Sequence, residues 1–425
     1  MKKHVRFTAL LLLGLTMQIT AQQLNQVIVV SGGIYSNPDD FVTTWSLAPE
    51  EANLFQFDEV RTHSTQSALV HDDHLYVAAM DSLVMYDLNT LERLAITAVE
   101  GVNFMAVYNN WLFVSRQFPA EAHFVQVFNR NTLDFSHNIS QISDESAGMR
   151  IMGDKVYVAV PGSWMSTQGR LAILDAETAQ FEEEIALGES AMGIHSLYPY
   201  NGFLLSVNKS AWDSNTGTLS LINTEDKTYS HFDFNHAIGY GIAVDGDLLY
   251  CLLDEGIGSI NLSTMEVATH AIVPDPGSSA FVYFAAVAFD SLSNHFYATT
   301  TDYVTFGQGY KYNLEGELIN TFDIGVSAEA IAFDYRDATT LFAHHAAADL
   351  KLFPNPASNL LHLSIARQTG LWHYTLSDLN GRSLKQGSLD THHRSIDISA
   401  FRSGIYLIEV QDAHGQKYRQ KFIKL

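Results

Sequence analysis

Few stretches of this chain hold residues of a type and spacing that could do chemistry. His71-Asp-Asp-His74 has metal-ligand residue types, but side chains in one tight turn diverge, so a structural turn is expected. Asn37-Pro-Asp-Asp40 lacks the alternating oxygen ligands and the glycine that a calcium loop needs. The pairs His344-His345 and His392-His393 are expected in solvent. The one cysteine, Cys251, sits in Leu248-Leu-Tyr-Cys-Leu-Leu253 and reads as a small buried hydrophobe rather than a nucleophile. A lone cysteine also leaves no disulfide within the chain. The hydrolase elbow Gly-x-Ser-x-Gly, the zinc motif His-Glu-x-x-His and the phosphate loop Gly-x-x-x-x-Gly-Lys do not occur. No catalytic residue, metal or cofactor is therefore assigned. Glu182-Glu-Glu184 reads as a solvated edge strand.

Binding chemistry is better represented. Tyr35, Phe118, Trp164, Trp212, Tyr303 and Phe306 fall in long, irregular, polar segments, with Arg116 and Lys209 as cations beside them. Aromatic rings gathered over a rigid frame suit a flat or apolar ligand, a glycan or a peptide. The bland alternative is that each ring packs its own loop down. Shorter connections add Gln66, Asn103, Met192, His195 and Tyr240 as residues expected near a common axis.

The elements that must position these residues repeat. A short strand centred on aromatics recurs as His74-Leu-Tyr-Val-Ala78, Trp111-Leu-Phe-Val-Ser115, Lys155-Val-Tyr-Val-Ala159, Gly202-Phe-Leu-Leu-Ser206, Leu248-Leu-Tyr-Cys-Leu252 and His295-Phe-Tyr-Ala-Thr299, with a degenerate first copy at Gln26-Val-Ile-Val-Val30. After most copies comes a second strand ending in Asp or Asn and a turn, as in Met85-Tyr-Asp-Leu-Asn-Thr90 and Val127-Phe-Asn-Arg-Asn-Thr132. The period of about 45 residues is that of one four-stranded propeller blade, and seven copies fit residues 22–348. A right-handed parallel β-helix is the alternative, but its repeat is roughly half as long. The expected fold class is thus all-β: a seven-bladed β-propeller, followed by a small Ig-like β-sandwich.

Ring closure is also written in the repeat. Ala328-Glu-Ala-Ile-Ala-Phe-Asp334 reads as the inner strand of a blade that nothing after it completes, whereas the first copy begins on a second strand. One blade built from both ends removes two open sheet edges. In such a ring the first-to-second and third-to-fourth strand turns share one face. Here they are tight, whereas the opposite face carries the long aromatic loops and is the expected binding face.

Charge narrows the partners. The chain carries a net −23; residues 22–348 hold 11 basic and 41 acidic side chains, against 10 and 6 in 349–425. A field of that sign repels nucleic acid and anionic lipid, so neither is an expected partner. At the N-terminal end Lys2, Lys3 and Arg6 precede an apolar run over 9–15, and Ile19-Thr-Ala21 stands before Gln22. This reads as a secretory signal peptide, 1–21. Gln22 in place of Cys excludes the lipoprotein route, and no later run approaches a membrane span, so no membrane insertion is expected.

The far end reads as an address. Lys351-Leu-Phe-Pro-Asn-Pro-Ala-Ser358 is followed by Tyr374-Thr-Leu-Ser-Asp-Leu-Asn-Gly381-Arg, then by Ile396-Asp-Ile-Ser-Ala-Phe-Arg-Ser-Gly404-Ile-Tyr-Leu-Ile-Glu-Val410, then by Lys421-Phe-Ile-Lys-Leu425. This succession resembles the type A C-terminal sorting domain of the type IX secretion system of Bacteroidota. The resemblance implies a β-sandwich over 351–425, with Pro354, Asn355, Pro356, Gly381, Gly404, Tyr406, Lys421 and Lys424 carrying the sorting signal. It implies the type IX secretion machinery as partner, and a secreted or cell-surface protein that passes through the periplasm. The expected divisions are the signal peptide 1–21, a propeller 22–342 closed by both termini, a linker 343–350 and the sorting domain 351–425.

The repeat itself resembles the seven-bladed YVTN-type surface and periplasmic propellers, at the level of architecture. The Ser-x-Asp-x-Gly-x-Thr-Trp turn of sialidase propellers is missing. A metal-dependent lactonase-like propeller needs a Glu, an Asn and an Asp converging on the axis, a role open to Glu329, Asn103 and Asp254. Two functions are therefore carried forward: an exported binding protein holding an extracellular ligand (small molecule, glycan or peptide) on its long-loop face, and an extracellular hydrolase or lyase with acidic residues at the channel mouth.

Overall fold

The computed structural model describes residues 22–337 except 38–39, 50–53, 212–213 and 277–282, and, beyond them, 350–353, 357–365, 372–378, 382–389, 395–411 and 417–424. The proposed signal peptide, most of the linker, Trp212, Pro354, Asn355, Pro356, Gly381 and Leu425 lie outside these residues. Two units are resolved by their contacts, 24–335 and a second that includes 336–425.

The first unit is seven four-stranded antiparallel sheets. Blade II has the strand order Ser67–His71, His74–Ala79, Ser82–Asp87, Arg93–Ala98, and blades III to VII follow the same pattern. Blade I differs in one respect. Its order is Ala328–Asp337, Gln22–Ser31, Phe41–Leu47, Phe55–Arg61, so its first strand comes from the far end of the repeat region. The first strands of blades II to VII pack in succession, which makes them the inner ring.

Why the second strands read as unbroken apolar runs is now physical. Side chains alternate faces along a strand, and in a ring both faces meet another blade. Val27 and Val29 pack toward blade VII beside Tyr297 and Phe322, while Ile28 and Val30 pack toward blade II beside Leu75 and Val77. Blade II repeats the scheme: Leu75, Val77 and Ala79 face blade I, and Tyr76 and Ala78 face blade III. Cys251 belongs to the same layer, 0% exposed between blades V and VI, and burial pushes its thiol up to about 12.

In blades II to VII the Asp or Asn at the end of the third strand is a turn cap. Asp87 Oδ1 accepts the N–H groups of Asn89 and Thr90 at 2.7 and 2.9 Å. Asn129, Asp175, Asn223, Asn261 and Asn313 take the same part in their blades. His71-Asp-Asp-His74 is a tight turn, with Asp72 held by Arg130 at 3.0 Å. The Glu182 to Glu184 run lies on the outermost strand of blade IV, Gln180–Gly188.

The second unit contains a three-stranded sheet (Leu350–Phe353, Leu360–Ile365, Ser395–Asp397) and a four-stranded sheet in the order Ser383–Leu389, Trp372–Asp378, Gly404–Gln411, Lys417–Lys424. Both contribute to one core that includes Leu361, Leu376, Ile408 and Phe422. Tyr406 stacks on Phe422 with centroids 5.6 Å apart and donates its hydroxyl to Arg402 O at 2.8 Å. Lys424 is buried and bridges to Ala357, whereas Lys421 and Gly404 are exposed.

Candidate functional site

Three elements make up the long-loop face: the inner-strand starts, the connections that enter them, and the loops between second and third strands. Those loops are uneven. Blades II and VI have two-residue turns, 80–81 and 254–255, while blades I, III, IV and V have loops at 32–40, 117–124, 161–168 and 209–216. Blade VII has the shorter 302–305. Going round the ring, the two low blades separate one wall, III to V, from another, VII and I.

The long loops are held at their bases. Gly101 and Gly193, both at positive φ, lie so close to the loop starts that a Cβ would come within 2.0 and 2.2 Å of Gln117 O and Lys209 O. Each glycine carbonyl accepts the N–H of that same loop residue, at 2.8 and 2.7 Å. Blade IV uses carboxylates and carbonyls instead. Asp144 Oδ1 accepts Ser163 N–H at 3.2 Å, and Glu145 O accepts Gly162 N–H at 3.2 Å. In blade VII, Asp302 caps its own turn through Val304 N, Thr305 N and the Thr305 hydroxyl, which hold its carboxyl down to about 2.

On these bases stand the rings. Trp164 is 92% exposed, Phe306 78% and Phe118 67%; Met165, Val304 and Tyr35 come next. Among the described residues these are the six most exposed large apolar side chains, and every one belongs to a second-to-third strand connection or its end. Tyr303 is also exposed, and Tyr35 meets His63 edge-on at 5.4 Å. Single exposed apolar residues need no explanation, but a set confined to one face does. Lys209 is exposed in the blade V loop.

Arg116 is placed differently from the expectation. It is 7% exposed; Nε donates to Glu100 O at 2.7 Å, and Nη1 donates to Ala122 O and His123 O at 2.9 and 3.0 Å. The guanidinium thus ties its own loop, because a buried Arg needs those carbonyls. Its Nη1 donors are spent on the end of the segment that carries Phe118.

The axis carries a chain of amides. Gln117 Nε2 donates to Gln66 Oε1 at 2.9 Å, and Asn103 Nδ2 donates to Gln117 Oε1 at 3.2 Å and Ser146 O at 2.9 Å. His195 lies edge-on to Phe104 at 5.2 Å, with Tyr240 6.5 Å away, and its Nδ1 is 3.0 Å from Ser196 Oγ. Burial first, and then the Lys209 charge, lower the imidazole to about 4. Glu329, on the closing inner strand, is pushed by burial from 4.5 to about 7, against the Thr65 backbone that favours its charge.

These two groups give a testable pH dependence. The unfolded chain loses the Glu329 proton near pH 4.5 while the folded chain keeps it to about 7, so stability falls as pH rises between them. The full penalty, at most about 3 kcal/mol, stands above pH 7. His195 acts oppositely, because its folded pKa is lowered: its contribution is lost as pH falls from 6.5 to about 4. Glu329→Gln should therefore melt with the wild type near pH 4.5 and several degrees higher at pH 8. Parallel melting curves from pH 4.5 to 8 would show that the carboxyl is not strained.

Two of the three residues open to a lactonase-like role have partners of their own. Asn103 is committed to Ser146 and Gln117, and Asp254 stands in the blade VI turn, 3.4 Å from His236 Nδ1. Among the described residues no three His, Cys, Asp or Glu side chains are grouped to hold a metal. The amide chain and the perturbed Glu329 had only a weak sequence signal, the polar residues at the starts of the inner strands.

The class of protein is set by the fold: a seven-bladed β-propeller followed by a small β-sandwich. Residues 351–425 match the family described as secretion system C-terminal sorting domain. The chain is thus an exported cell-surface or secreted propeller, carried by the type IX route of Bacteroidota. No curated protein matches it. Among solved structures it is similar to a proposed 6-phosphogluconolactonase from Bacteroides uniformis (13% identity, TM-score 0.53, 73% of this chain and 100% of that one). It is also similar to the extracellular domain of a proposed one-component system from B. thetaiotaomicron (12%, TM-score 0.47, 94% of this chain), of which it spans 57%. A third similar structure is apo AztD from Citrobacter koseri (8%, TM-score 0.48, 75% and 99%). At 13% identity the first of these likenesses speaks of fold alone. No helix among the described residues is long and apolar enough to cross a membrane.

Proposed function

We propose that this is an exported binding protein that holds an extended extracellular ligand, a glycan or peptide chain, on its long-loop face. The observation carrying the proposal is the confinement of the most exposed apolar side chains to that face. The low turns of blades II and VI favour a chain over a compact small molecule. They leave passage between two raised walls, one with Phe118 and Trp164, the other with Tyr35, Tyr303 and Phe306. The enzyme reading has less support, since Asn103 and Asp254 are already engaged elsewhere.

A Phe118→Ala/Trp164→Ala double variant tests it on arrays of immobilised glycans and peptides. Both rings are solvent-facing, so melting should shift by under about 2 °C, as for surface substitutions. Retention of the features bound by the wild type should fall roughly ten-fold or more. An unchanged array profile, or a variant that unfolds because the rings were packing, would overturn the proposal.

A further inference from the structure

We propose that blade VII carries a saccharide-binding subsite on the third-strand face that bears Phe306, Gln308 and Tyr310. It deepens the binding reading above and rests on it.

A cleft of about 650 Å³ lies there, between the end of the strand His295–Thr301, the strand Phe306–Tyr312 and the strand Leu318–Val326. That is the size of small-ligand clefts, about 300–1,000 Å³. Its floor is a row across three strands: Thr300 pairs with Gln308, and Gln308 with Asp323. Phe306, Gln308 and Tyr310 alternate onto one face of their strand. The pairing then slips, because Phe306 lies opposite Val326 while Gln308 lies opposite Asp323, so the fourth strand carries one extra residue beside Phe306.

The chemistry of this row is that of a sugar site. Tyr310 donates its hydroxyl to Gln308 Oε1 at 3.1 Å, which fixes the amide and leaves its N–H donors for a ligand. Asp323 is exposed, and its carboxylate can accept two neighbouring hydroxyls. Phe306 offers an exposed ring to the C–H face of a pyranose. Among the described residues the lining contains no Lys, Arg or His, and Asp302 adds a second carboxylate. Those residues therefore offer no cation to a phosphate, sulfate or uronate. Lys311, on the opposite face of the same strand, donates to Pro49 O at 3.3 Å and lies over the Tyr297 ring. Two carboxylates could also draw a cationic peptide, but an ammonium group has no use for the Gln308 donors. The occupant favoured is a neutral saccharide.

The test is calorimetric titration of the full chain with neutral hexasaccharides (cello-, malto-, xylo-, manno- and chitohexaose), and with hexalysine and hexagalacturonate as contrasts. At least one neutral sugar should bind, and Phe306→Ala and Asp323→Asn should each weaken it ten-fold or more with unchanged melting. Hexalysine binding that Asp323→Asn removes and Phe306→Ala does not would instead make the cleft a cationic-peptide site and overturn the proposal. So would hexagalacturonate binding lost with either variant. Sugar binding lost only in Phe118→Ala/Trp164→Ala would refute the subsite while upholding the face. Sugar binding unaffected by every variant would refute both, and binding by none of the sugars would refute the saccharide assignment, leaving the face to its array test.

Discussion

Replacing Asp334 with alanine should lower the melting temperature of the propeller by about 6–12 °C. Asp334 is 0% exposed on the closing inner strand, and its Oδ2 accepts Asn25 Nδ2 at 3.0 Å and Gln26 Nε2 at 2.9 Å. The partners stand 309 and 308 residues away, on the strand contributed by the other end of the ring. A hydrogen bond to a charged group contributes roughly 1.5–3 kcal/mol, and deleting its acceptor also leaves buried donors unmatched. Two such bonds give about 3–6 kcal/mol, and in a domain this large each kcal/mol moves the midpoint by about 2 °C. The blade VII counterpart, Asp290, is equally buried and accepts the Tyr335 hydroxyl at 3.0 Å, so Asp290→Ala should also destabilise. Calorimetry decides the matter, supported by limited proteolysis, in which the first strand should be released early from Asp334→Ala. A variant melting within 1 °C of the wild type would mean that the ring is held shut by other contacts.

Removing residues 421–425 should shift the protein almost completely from the cell surface and medium to the periplasm. The deletion takes half of the strand Lys417–Lys424, including the pairs Tyr406 with Phe422 and Gly404 with Lys424, and the bridge to Ala357. Phe422 is 0% exposed, so its loss also opens the core of the sorting domain. The propeller, with its own core, should melt as before. Two single variants separate folding of the signal from its recognition. Phe422→Asp places a charge in that core and should block export through misfolding, whereas Lys421→Ala alters an exposed position and reports on reading by the secretion machinery. Immunoblots of medium, surface and periplasmic fractions give the answer, and normal extracellular yield of the truncated chain would contradict the address.

Much of the architecture was legible because a propeller repeats its physics. Tyr76, Phe113, Tyr157 and Tyr250 mark strands buried on both faces, and Asp87, Asn129 and Asp175 mark turns that need a side-chain acceptor. Both signals are local and recur at one period. The face that carries the long loops was legible as loop length and aromatic content. The fate of individual side chains was not. Arg116 and Trp164 look alike as exposed-loop residues, yet one is buried by carbonyls from 100, 122 and 123 and the other projects into solvent. The row Thr300, Gln308, Asp323 depends on strand register and on a slip that no local pattern announces. The raised pKa of Glu329 depends on how deeply the closing strand sits.

The position of that closing strand has a consequence for biosynthesis. Ribosomes finish Ala328–Asp337 just before they begin the sorting domain. A polypeptide broken off anywhere earlier has neither the strand that shuts the ring nor the tail that is read for passage. Incomplete products therefore stay behind without any separate inspection step, and only molecules able to close are labelled for delivery.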